Sequence, residues 1–501
     1  MISKKLLTGA LARISQALIS ISIGFVMMPF FMENLGSFQY SLWILVGSIT
    51  SAYYILDLGM SNVLTRFLVR DLKNKDWASA NTYISNALVI YSGLAIFLFL
   101  LTMMLAHSAP DFRMFSAYNQ EDVSFVILLI GFSLAIEFPS KAFAGIVSAH
   151  ERFDVIAISR SLFLIATAVT NFIVLSKGGG VSEMAIIVAS FSVLSTGVFV
   201  VIAFRLQKNL VINVNKIDKN VLFELYTFSK WTFLTDVFIT LRNRIDIWSV
   251  SFFLSPIAVT IYYVSSRLVE YSVTFIQQIT GILVPTLSQS HYDNDNESLQ
   301  KKVQVFYFVI CSFVTLIIVG LALVGESFIL IWMGDEFDYH SAYSCMLILL
   351  MGKMMKYMFE PLSSTIFSIG KPKIITMLSA IEVVLTGVLV VSLAPSYGLL
   401  GIATAASVPF FITRLLMLPQ ILKREVGSKI IVIYAYLAFH FILIIALIGF
   451  GKILMDGQLV GSLKEVIMIS LIIMVTFFIP VILLNWTRFL SIKSIMKPLK
   501  P

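Results

Sequence analysis

The sequence predicts an all-α membrane protein of about fourteen transmembrane helices. Three observations lead there: a charge-poor composition, fourteen apolar runs of membrane-crossing length, and basic residues gathered on alternate connections. Of 501 residues, 58% are apolar and only 13% charged, against roughly 45–50% and 25% in average soluble domains. Forty-one Phe and 21 Met point the same way. The formal charge of +8 does not indicate nucleic acid. The Lys and Arg lie in short loops between apolar runs, not in a basic domain, and membrane lipids suit them better.

A helix needs about 20 apolar residues to cross roughly 30 Å of hydrocarbon. That criterion places spans near 9–32, 41–64, 82–106, 123–147, 155–176, 184–204, 231–254, 257–286, 304–324, 342–369, 374–393, 401–422, 430–451 and 466–486. The start, Met1-Ile2-Ser3-Lys4-Lys5, has the charge of a signal peptide. The apolar run behind it is too long for one, and no small-residue cleavage site precedes Glu33, so it is expected to be a retained first span. With the N-terminus cytoplasmic, 23 Lys/Arg fall in inner segments, 4 in outer loops (Arg113, Lys177, Lys452, Lys464) and 9 inside spans. This bias orients the bundle with both termini in the cytoplasm of a bacterial inner membrane.

The chain reads as a repeat. Residues 1–204 form a first six-helix lobe, 205–230 a basic connector, 231–422 a second lobe, and 423–501 hold spans 13 and 14 with a cytoplasmic tail. The turn Lys177-Gly178-Gly179-Gly180 recurs as Pro395-Ser396-Tyr397-Gly398. Glu137-Phe138-Pro139 with Glu151-Arg152 recurs as Glu360-Pro361 with Gly370-Lys371, all at offsets of roughly 220. Six spans separate the copies, so the repeats run parallel, an arrangement of transporters whose lobes rock about a central site.

Sixteen ionisable residues lie inside the spans. At ~2.5–3.5 kcal/mol each against lipid, they must pair, snorkel or face a wet cavity. Arg13, Arg160 and Arg414 lie close enough to the cytoplasmic face to snorkel. Glu137 with Lys141, Arg242 with Asp246, and Arg267 with Glu270 share helix faces and allow mutual neutralisation. Lys353, Lys356 and Glu360 at i, i+3 and i+7 form one face on which a single acid cannot neutralise two lysines. Arg244 also lacks a partner in its own helix. Buried cations of this kind imply an acid on another helix or a ligand phosphate. Spans 7, 8 and 10 are therefore expected to line a substrate cavity.

No enzyme chemistry competes. Cys311 and Cys345 form no CxxC, and five scattered His contain no HExxH, so neither a disulfide framework nor a metal site is expected. Gly178-Gly179-Gly180 lacks the Lys-Ser/Thr of a nucleotide-binding loop.

Leu35-Gly36-Ser37-Phe38-Gln39-Tyr40-Ser41-Leu42-Trp43, Leu56-Asp57-Leu58-Gly59-Met60 and Arg66 resemble the start of the polysaccharide flippases, the Wzx group of the MOP exporter superfamily. Arg244-Ile245-Asp246, Ile261-Tyr262-Tyr263, Val284-Pro285-Thr286-Leu287-Ser288 and Gly370-Lys371-Pro372 continue the likeness. The resemblance implies two lobes around a cationic cavity. It implies movement of undecaprenyl-pyrophosphate-linked oligosaccharide repeats across the inner membrane, for O-antigen (lipopolysaccharide), capsule or exopolysaccharide assembly. Asp57 and Arg66 match the first-lobe motif and Asp246 the second-lobe one. No cofactor is expected, with an H+ or Na+ gradient as an energy source to be tested. A polymerase and a chain-length regulator are conceivable partners. The rivals are a cation-coupled multidrug exporter, a lipid II flippase and, from another class, a membrane polysaccharide polymerase. The exporter would favour an acidic pocket, yet span 1 contains no carboxylate. The polymerase would need a large outer loop, which is absent.

Overall fold

The computed structural model describes residues 4–57, 60–213, 218–281, 283–292, 296–427 and 430–455, with short helical pieces between 464 and 476. The predicted fourteenth span falls largely outside the described residues. Among them every regular element is helical, as predicted. The chain divides into two compact units, Met1–Thr260 and Ile261–Pro501. The first therefore includes the helix that the sequence reading groups with the second lobe.

The first unit holds α1 (Lys4–Ser51), a 3-10 segment (Ala52–Asp57), α2 (Met60–Lys73), α3 (Trp77–Ser108), α4 (Gln120–Ala149), α5 (Phe153–Leu175), α6 (Val181–Leu206) and α7 (Lys219–Phe253). α1 covers predicted span 1 and the first part of span 2, and bends at Gly36, whose φ of 72° favours glycine. Asp76 and Asn119 begin α3 and α4 by accepting the N–H groups of Ser79 and Glu121 at 3.0 and 2.8 Å. α4 packs against α3 and α6. Tyr91, Phe138, Leu64 and Leu68 are buried in its core. Gly131 lets α4 approach α3 closely: a Cβ there would lie 2.4 Å from the Thr102 side chain.

α8 (Pro256–Thr280) spans the boundary, and the second unit continues with α9 (Leu283–Tyr292), α10 (Asn296–Met333), α11 (Tyr339–Met358), α12 (Glu360–Ser368) and α13 (Pro372–Phe410). A π-helical turn (Phe411–Met417), α14 (Leu418–Val426) and α15 (Ile430–Leu454) follow. α13 bends at Gly398 (φ 53°). Gly352 of α11 meets Ser407 of α13 in the same close manner as Gly131 meets Thr102, with a built Cβ at 2.5 Å.

Eight helical stretches among the described residues are long and apolar enough to cross a membrane, two of them containing the bends at Gly36 and Gly398. α7, α8 and α11 fall outside that group. They carry Arg242, Arg244 and Asp246, then Arg267 and Glu270, then Lys353 and Lys356.

Two turns share one pattern of backbone hydrogen bonds. At the α4–α5 turn, the N–H groups of His150, Glu151 and Arg152 donate to Ile146, Ser148 and Val147. At the α12–α13 turn, Ile369, Gly370 and Lys371 donate to Thr365, Phe367 and Ile366. Each bond has its counterpart 219 residues on (151 to 370), and both turns pass through positive φ, at Glu151 (57°) and Gly370 (76°). At this spacing Glu360 is paired in sequence with Lys141 and Lys356 with Glu137, opposite in charge.

Predicted span 10 is also not one helix. It breaks at Phe359, between α11 and α12, because Pro361 has no N–H to donate to Tyr357 and its ring crowds that carbonyl. Lys353, Lys356 and Glu360 therefore do not form a stripe on a single continuous helix.

Candidate anion site and intramembrane ion pairs

In the first unit the 3-10 segment brings Asp57 to the centre of a polar cluster. Its Oδ1 accepts from the Lys141 ammonium at 3.1 Å and the Tyr91 hydroxyl at 3.0 Å. Its Oδ2 accepts from the Ser61 hydroxyl at 2.9 Å. Glu137 instead accepts from Tyr54 at 2.9 Å. Lys141 thus pairs with an acid on another element, not with Glu137 as helix spacing suggests. Its ammonium lies 4.2 Å from the Phe138 ring centre and 5.0 Å from that of Tyr54. Such contacts suit a cation largely removed from water.

A cavity of about 380 Å3 opens beside this cluster, among α1, α2, α4 and α5. Arg13, Lys141 and Arg160 line it, with Gln16, Ser61, Thr65 and Ser148, and no carboxylate is among its described lining residues. Arg13 stands 4.2 Å from the Phe153 ring centre, which holds its guanidinium at the wall. Three cations with hydroxyl and amide groups around one space have the chemistry to bind a phosphate-type anion, which Arg can hold through paired N–H groups. Sequence reasoning assigned Arg13 and Arg160 to snorkelling. The signal available there was that neither has an acid three or four residues away.

The other predicted positions in this unit lie elsewhere on its elements. Arg66 is exposed on α2. Arg242 and Asp246 are buried on α7, Asp246 accepting the Ile247 N–H at 2.8 Å. Arg244 is half-buried.

In the second unit Arg267 pairs with Glu270 at 3.0 Å, as spacing predicts, and also donates to the Tyr263 hydroxyl. Lys356 has Lys353, Glu360, Arg414 and Glu382 as charged neighbours and lies 5.4 and 5.8 Å from the Tyr357 and Phe410 ring centres. A fully buried ion pair was missed from sequence: Glu382 accepts from Arg414 at 2.9 Å, both side chains 3% exposed. Thr413 donates to the same carboxylate at 2.7 Å, and Arg414 donates to Ser363 at 3.1 Å. The π-helical turn after Pro409 sets Thr413 and Arg414 side by side on this acid. Arg414 is therefore held inside protein and does not snorkel.

A family model described as "Polysaccharide biosynthesis protein" matches residues 6–291. The chain belongs to that family. No curated protein matches it significantly. Among solved structures, the family member resembles the lipid II flippase MurJ in an inward closed conformation. The likeness has a TM-score of 0.68 at 15% identity, over 96% of this chain and 100% of that one. An inward-facing MATE-family multidrug resistance transporter of the MOP superfamily gives 0.66 at 12% identity, over 83% and 98%. A MOP-superfamily transporter from Pyrococcus furiosus, described as having a binding pocket of reversed polarity, gives 0.61 at 12% identity, over 89% and 99%. The family member thus shares the fold of these membrane transporters, as the sequence reading expects.

Proposed function

We propose that this protein is a flippase that moves undecaprenyl-pyrophosphate-linked oligosaccharide repeats across the bacterial inner membrane by alternating access. The product feeds O-antigen, capsule or exopolysaccharide assembly, and both termini lie in the cytoplasm. The observation that carries the proposal is the cavity lined by Arg13, Lys141 and Arg160, with no carboxylate among its described lining residues, in a chain of the polysaccharide biosynthesis family. A diphosphate diester matches those cations, and the hydroxyl and amide groups beside them suit a sugar. A cationic drug would meet repulsion from all three.

A lipid II flippase would use the same anion chemistry, so the two readings part on phenotype. Deleting the gene is expected to strand the lipid-linked repeat on the cytoplasmic leaflet and abolish the surface polysaccharide while the cell wall is built normally. Normal polysaccharide with altered drug sensitivity, or with arrested cell-wall synthesis, overturns the proposal.

A further inference from the structure

Two rungs join the 3-10 segment to α4. The Tyr54 hydroxyl donates to Glu137 at 2.9 Å, and Asp57 accepts from the Lys141 ammonium at 3.1 Å. Both rungs advance in the same direction along the chain, so they need equal spacing on the two elements. Three residues of 3-10 helix rise about 6 Å and bring i and i+3 to one edge. Four residues of α-helix also rise about 6 Å and stay on one face. The 3-10 segment therefore matches α4 rung for rung. Continued as an α-helix, it would rise only about 4.5 Å between Tyr54 and Asp57 and turn them about 60° apart.

The rungs separate two charges that their own helix brings together. Glu137 and Lys141 stand four apart on α4, the spacing at which an acid and a lysine ordinarily pair. Among the described residues no ion pair joins them. Lys141 bonds Asp57 and lines the cavity, whereas Glu137 bonds Tyr54 and is not among the described lining residues. The Tyr54 ring centre lies 5.0 Å from the Lys141 ammonium, and Arg160 is close enough to act on Tyr54 electrostatically. A Glu137 carboxylate freed from the hydroxyl thus has one cavity cation a helical turn away and a second near Tyr54. An ammonium has three N–H donors. Asp57 takes one, and the rest are what a ligand and a freed Glu137 would contest.

We propose that Tyr54 is a positioning residue that sets the charge selectivity of the cavity: by holding Glu137 aside, it keeps that carboxylate off Lys141 and leaves the ammonium to an anionic ligand. This rests on the anion reading of the cavity and names the contact that maintains it. The ligand class is a phosphate-type anion, and its competitor is a side chain of the same helix.

Tyr54→Phe removes the hydroxyl and keeps the ring beside Lys141, at a position 45% exposed. The probe is UDP-N-acetylglucosamine, a water-soluble diphosphate diester, and its binding is measured by titration calorimetry on the full chain in nanodiscs at fixed pH and low salt. Tyr54→Phe is expected to bind about three- to tenfold more weakly, since an added carboxylate opposes the probe at short range in a poorly hydrated place. Adding Glu137→Gln to that variant is expected to restore wild-type affinity, because no carboxylate remains to compete. A merely structural role for the Tyr54–Glu137 bond predicts no such rescue, since the double variant lacks the phenol as well. Wild-type affinity in Tyr54→Phe overturns the inference, and so does weakened binding that Glu137→Gln fails to restore. A Tyr54→Phe protein that does not fold marks the bond as structural and overturns it too. Absence of probe binding by the wild type, by contrast, overturns the anion reading of the cavity itself.

Discussion

Lys141 and Glu360 each stand ten residues before the positive-φ residue of a helix-ending turn, Glu151 and Gly370, and carry opposite charges (151 − 141 and 370 − 360). Four residues earlier the inversion recurs, with Glu137 against Lys356. In the first unit Lys141 serves Asp57 and the cavity. In the second, Glu360 and Glu382 accompany Lys356 and Arg414.

The Asp57–Lys141 pair should show strong coupling. Lys141→Met leaves a carboxylate of low exposure without its ammonium and is expected to destabilise the protein by about 1–3 kcal/mol. Adding Asp57→Asn should recover most of that loss. Additive losses in thermal unfolding in detergent would show that the 3.1 Å contact carries no coupling.

Glu382 and Arg414 are nearly free of solvent, so breaking the pair from one side should cost about 3–5 kcal/mol. Arg414→Ala strands Glu382 with Thr413 as its remaining hydroxyl donor. The double change Glu382→Leu with Arg414→Met should stay within about 1.5 kcal/mol of wild type, since shape is kept and no charge is stranded. Unfolding midpoints of the three variants decide this. A double variant as unstable as Arg414→Ala would contradict it.

The two equivalent turns predict opposite responses to substitution. Gly370 has φ 76° and open space around a built Cβ, so Gly370→Ala should lose about 1 kcal/mol through backbone strain alone. Glu151 already bears that strain at φ 57°, so Glu151→Gly should cost nothing or stabilise slightly. Thermal midpoints that fall equally for both would refute the equivalence.

Replacing Lys353 and Lys356 together by Ala should impair translocation while leaving the amount of protein in the membrane unchanged. Removing both amines leaves Glu360 and Glu382 with Arg414 as the remaining cation among the neighbours of Lys356. Normal translocation by the double variant would assign these lysines a structural role only.

Much of the fold is legible in the sequence because each crossing repeats the same demand: an apolar run long enough to span hydrocarbon. Thirteen predicted spans coincide with described helices or helix pairs. The 3-10 segment Ala52–Asp57 and the break at Phe359 are not visible that way, because hydropathy averages over them. Pro361 was the available clue to the second. Pairing was legible only within a helix. Arg267–Glu270 follows from spacing, whereas Lys141–Asp57 and Arg414–Glu382 join residues 84 and 32 positions apart (141 − 57, 414 − 382). The cavity escaped for the same reason: Arg13, Lys141 and Arg160 converge from three helices, and no local pattern marks them as neighbours.

The most direct test of the central claim is translocation of a fluorescent undecaprenyl-diphosphate-linked disaccharide in proteoliposomes. Wild type is compared with Arg13→Gln plus Arg160→Gln. These side chains line the cavity and have no ion-pair partner among the described residues, so the variant should fold. Losing two arginine–phosphate contacts should slow transport at least about tenfold, equivalent to 1.4 kcal/mol. A variant that carries the diphosphate lipid at the wild-type rate, or a wild type that moves a cationic dye and leaves the diphosphate lipid in place, would contradict the account.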